Sequence, residues 1–119
     1  MNKECREPGR LMGVLLLIVL AMGLYGCQMG AQETESSALN KRGTEYAAKG
    51  DYDRAIADHT EAIRLQPDDA KAYYNRGVAY KSKGEKAKAI ADFERYLQLS
   101  TDPNLRAKAE QYLRELRGS

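Results

Sequence analysis

The chain has 119 residues, 43% of them hydrophobic and 30% charged, with a formal net charge of +2 and a mean hydropathy of −0.64. One small domain fits in that length, so a large multidomain enzyme is excluded. Beyond the first ten residues, 16 basic side chains face 15 acidic ones. So balanced a body has no basic field to condense on phosphates, and no nucleic-acid partner is expected. One His, two Cys and no Trp offer little for a reacting or metal-binding cluster. No catalytic residue, metal site or cofactor is expected.

The N-terminus reads as an address. Lys3, Arg6 and Arg10 precede an uncharged run from Leu11 to Leu24, and Leu24-Tyr25-Gly26-Cys27 follows. A basic start, a short apolar core and a small residue at the cut describe an export signal. The 14 residues of the run rise about 21 Å as a helix, short of the roughly 30 Å hydrocarbon core. The tetrapeptide resembles the lipobox of bacterial lipoproteins at three of its four positions, Tyr25 being bulkier than usual. That resemblance implies cleavage between Gly26 and Cys27, Leu24 marking the site, and a diacylglyceryl group on the Cys27 sulfur. Membrane attachment would then be through lipid, stable because more than one acyl chain is used. Gln28 after the Cys implies the outer membrane of a bacterial envelope, with the protein facing the periplasm. Cys5 would be discarded with the signal, so no disulfide is expected. An uncleaved helix held in the inner membrane is the alternative. Residues 27–37 then form a lipidated start and a polar tether about 35 Å long when extended.

From Leu39 on, the chain repeats itself. Arg42 and Arg76, Gly43 and Gly77, Tyr46 and Tyr80, Gly50 and Gly84, and Ala55 and Ala89 are each 34 residues apart. Ile56 with Ile90, Asp58 with Asp92, Ile63 with Leu97, and Leu65 with Leu99 keep that spacing. So strict a period marks an array of stacked units. Within each unit, apolar and small residues recur at helical steps, first to a glycine stop, then from Asp51 or its counterpart onward. Gly43 and Gly77 predict close helix approach, with Ala55 and Ala89 as the small surface opposite. Asp102-Pro103 opens a last helix with Leu105, Ala109, Tyr112, Leu113 and Leu116 on one stripe.

These offsets resemble the tetratricopeptide repeat. The departures are His59 where an aromatic is usual, Tyr96 where the first unit has Ala62, and a late closing proline, Pro103. The fold class expected is all-α: a signal over 1–26, the tether over 27–37, two repeats over 38–103, and a capping helix over 104–117. The resemblance implies a concave groove, lined by the first helices of the repeats, that receives a protein or peptide. It assigns Asn40, Thr44, Lys71, Tyr74, Asn75, Val78 and Lys81 to that surface. Tyr74 is expected as an aromatic anchor free of packing duty, and Asn75 as a donor to peptide backbone. His59 is expected in the core, and Lys81, Lys83, Lys86 and Lys88 on a solvated loop. Asn75 matches one position of the carboxylate clamp of chaperone-binding relatives. Asn40 and Thr44 depart from it, so a clamp for a chaperone tail is not expected. Arrays usually need about three repeats, and self-association of this shorter one is a further expectation. The function expected is a lipid-anchored interaction module that scaffolds an envelope assembly, the alternative being an accessory subunit on an uncleaved helix.

Overall fold

Each turn between helices carries its own stop and start. Gly50 and Gly84 take φ of 81° and 86°, left-handed values that cost glycine nothing and end the helices before them. Asp51, Asp69 and Asp102 then accept bonds from backbone N–H groups of the following first turns, from Arg54 at 3.2 Å, Lys71 at 3.1 Å and Asn104 at 3.0 Å. In the computed structural model, which describes residues 34–119, the result is five helices. These are α1 (Glu35–Ala48), α2 (Tyr52–Leu65), α3 (Ala70–Lys83), α4 (Lys86–Leu99) and α5 (Pro103–Gly118). The array is all-α: α1 pairs with α2 and α3 with α4, α3 lies on α2, and α5 covers α4.

The first helix begins earlier than residue 38. The Thr34 hydroxyl oxygen accepts from Ser37 N at 3.2 Å, and Ser36 is buried with its hydroxyl donating to Ala62 O. Glu35, Ser36 and Ser37 therefore belong to the folded unit and not to the tether. The expected signal with Leu24 and Gly26, the lipid site Cys27 and the tether up to residue 33 lie outside the described residues. Among the described residues, no helix is long and apolar enough to cross a membrane.

Small residues set how closely the helices pack. Ala55, Ala62, Ala72, Ala89 and Ala109 are fully buried. A Cβ on Gly43 would lie 2.8 Å from His59 Cε1, and one on Gly77 would lie 3.1 Å from Phe93 Cε1. The glycines thus make room for a ring from the second helix, where Ala55 and Ala89 had been expected opposite them. Each hairpin is further clamped by a two-bonded ion pair. Arg42 reaches Asp58 at 2.7 Å, and Arg76 reaches Asp92 at 2.8 Å. Arg76 also donates to Thr60 of the first repeat. Of the lysines around the α3–α4 turn, Lys83 pairs with Asp53 and Glu85, and Lys88 with Glu85, while both remain exposed.

Candidate cleft on the first-helix face

The site is built from one difference between the repeats. In the second, Tyr74 of α3 packs edge-on against Phe93 and Tyr96, with ring centroids 5.8 and 5.2 Å away. In the first, Asn40 and Ala62 stand 34 residues before Tyr74 and Tyr96. Less side-chain volume is available there. A cleft of about 220 Å³ lies over the first repeat, lined by Thr44, Ala47, His59, Tyr74, Asn75, Val78, Lys108 and Tyr112. It joins α1, α3 and α5, with His59 contributed from α2.

His59 is fully buried, and its protonation follows from its neighbours. The Asn40 amide Nδ2 donates to Asp69 Oδ2 at 2.6 Å, which leaves Asn40 Oδ1 as an acceptor. His59 Nδ1, 2.9 Å from that oxygen, must therefore carry the proton. The Nε2 atom is left as a lone pair, and it has no hydrogen-bond partner among the described residues. Burial pushes the imidazole pKa down to about 4, with Asp58 and Asp69 pulling more weakly the other way. The ring is neutral at pH 7, with its proton on Nδ1 and its lone pair on a buried Nε2.

The wall is apolar and aromatic. Val78 and Ala47 are half-buried, and Tyr74 lies beside Tyr112 with centroids 6.5 Å apart. Burial, then the neighbouring Tyr112, pushes the Tyr74 phenol up to about 12. Lys108 brings its ammonium 6.0 Å from the Tyr112 centroid, and Lys81 lies 4.4 Å from the same ring while pairing with Glu115.

The expected groove residues divide accordingly. Thr44, Tyr74, Asn75 and Val78 meet in the cleft. Asn40 does not face solvent, being buried under the cleft with both ends of its amide engaged. Tyr74 is not free of packing duty, because the aromatic cluster of α4 and α5 holds its ring. Lys71 is exposed at the start of α3 and Lys81 ties α3 to α5, and neither lines the cleft. Ala47, His59, Lys108 and Tyr112 line it unforeseen. The signal for Ala47 was present, one helical turn beyond Thr44. Tyr112 and Lys108 required knowing that α5 closes the cleft as a third first-type helix.

A family profile described as TPR repeat matches residues 43–84, and one described as Tetratricopeptide repeat matches residues 70–102. Among solved structures, the chain is similar to the first TPR of Spaghetti (RPAP3) bound to the HSP90 peptide SRMEEVD. Identity is 22%, with 71% of this chain and 91% of that one covered, at a TM-score of 0.43. It is also similar to the first TPR domain of human RPAP3, solved by NMR, at 23% identity. There 71% of this chain and 97% of that one are covered, with a TM-score of 0.37. No curated protein matches the sequence.

Proposed function

Starting from a chain built of tetratricopeptide repeats, we propose that it is a membrane-anchored protein-interaction module that takes a partner segment into the cleft between α1, α3 and α5. The repeat fold is a protein-interaction scaffold, and the observation that carries the reading is the cleft itself. Its wall of Ala47, Tyr74, Val78 and Tyr112 offers apolar and aromatic surface to an incoming segment. The segment Leu24-Tyr25-Gly26-Cys27 supports the anchor, and with it a role in assisting an assembly of the bacterial envelope, at the outer membrane facing the periplasm. The bulk of Tyr25 favours a second reading, an accessory subunit on an uncleaved inner-membrane helix.

Two measurements test this. A photo-crosslinking residue at Thr44, on the cleft, is compared in intact cells with one at Arg114, an exposed position on α5. Adducts from position 44 and none from 114 are expected, and a product at twice the chain mass would identify a second copy as the occupant. Adducts from 114 alone would overturn the cleft. Intact mass spectrometry should show a chain beginning at Cys27 with acyl mass. An unmodified Met1 start would replace the lipid anchor by the helix.

A further inference from the structure

We infer that the α1 end of the array is a self-association surface, where two copies meet α1 against α1, antiparallel, through Glu35, Leu39, Arg42, Tyr46 and Lys49. These positions follow one another at steps of four, three, four and three, the spacing of a seam between two helices. Repeat two shows what the stripe is for. The residues 34 further on are Asp69, Tyr73, Arg76, Tyr80 and Lys83, and they make the joint between the repeats. Asp69 accepts from Asn40, Arg76 donates to Thr60 and Lys83 pairs with Asp53, each across to repeat one. Among the described residues, no further helix packs on the α1 stripe. The clamp registers the missing neighbour: the Arg42 side chain is 58% exposed where Arg76, in the same bond to its aspartate, is 18% exposed.

Two observations make the occupant a second copy. The stripe is complementary to itself, since exposed Glu35 and Lys49 end it with opposite charges and half-buried Leu39 and Tyr46 lie between them. An antiparallel pairing centred near Arg42 sets Glu35 against Lys49 of the second copy and Leu39 against its Tyr46. The two arginines meet near the centre, each already neutralised by its own Asp58. Arg64, the cation of its own chain that Glu35 attracts, is already held by Glu61. The other end of the array is closed. Asn40 and Thr60, which receive the α3 stripe, have Tyr74 and Glu94 as counterparts 34 residues on. Both are taken by α5, Tyr74 by the Tyr112 ring and Glu94 by Arg117. Head-to-tail stacking is therefore blocked, and the two-fold arrangement, which closes at two copies, is the one left.

The test uses the full chain in intact cells, co-expressed in two differently tagged forms. A photo-crosslinking residue replaces Ala38, exposed beside the stripe, or Arg114, exposed on α5. A product of twice the chain mass carrying both tags is expected from position 38 and not from 114. Glu35→Lys or Lys49→Glu alone should cut that product about tenfold, since either change sets like charges together at both symmetric contacts. The two changes in one chain restore opposite charges and should restore the product. A variant that merely failed to fold would not recover on gaining a second substitution. No double-tagged product from position 38, adducts there to other proteins alone, or a double swap no better than the single ones would overturn the proposal. None of these outcomes touches the cleft, which Thr44 lines from a different stripe of α1.

Discussion

The two repeats share a frame and differ in filling. Both close their hairpins with a glycine against a ring and an Arg–Asp clamp. In the second, Tyr74, Phe93 and Tyr96 form a dry aromatic cluster that α5 seals with Ala109, Leu113 and Leu116. In the first, the same register holds Asn40, His59 and Ala62, and the ring is held by hydrogen bonds to Asn40 and onward to Asp69. The lesson is that the same helix frame yields an aromatic core in one unit and a hydrogen-bonded polar one beside an open cleft in the next. Three substitutions at period 34 make that difference.

The sharpest way to break the comparison is to empty the second core. Phe93→Ala removes a fully buried ring and should lower stability by about 3–5 kcal/mol, read as a drop in the urea midpoint. Acid should act on the first repeat instead. His59 has its folded pKa depressed from 6.5 to about 4, so the unfolded chain binds the extra proton between those values. Stability is therefore complete above about pH 6.5 and falls as the pH drops towards 4. The loss is up to about 3 kcal/mol. Thermal melts across that range check it, and in His59→Phe this contribution should vanish. The clamps give a finer contrast. The Arg76 side chain is 18% exposed and Arg42 58% exposed. Double-mutant cycles should give about 1.5–3 kcal/mol of coupling for Arg76 with Asp92, but only about 0.2–1 for Arg42 with Asp58. Equal couplings would show that burial does not separate the two repeats. Thr34→Ala should cost about 1 kcal/mol through its lost cap, an effect on the scale of the weaker clamp, and would place residues 35–37 inside the cooperative unit.

The period of 34, the glycine stops and the Asp caps make the helices legible in the sequence, because each rests on local backbone chemistry. Thr34 escaped, since the polar run before Leu39 has no apolar period and the buried Ser36 is explained only by its bond across to Ala62. The site was half legible. Thr44, Asn75 and Val78 follow from which face of a first helix is free. Asn40 does not, because its burial depends on Asp69 and His59, 29 and 19 residues away. Tyr74 was placed on the right face and given the wrong freedom, since the ring partners that pin it belong to α4 and α5. Periodicity reports faces; it does not report which neighbour fills them.

The central claim is that His59 is a neutral imidazole with its proton on Nδ1 and its lone pair on a buried Nε2. A long-range ¹H–¹⁵N spectrum of the single histidine in the full chain, followed from pH 7 to pH 4, tests it most directly. The account predicts a protonated Nδ1, an unprotonated Nε2, and no titration until the pH nears 4. A proton on Nε2, or a midpoint at the ordinary 6.5, would contradict it.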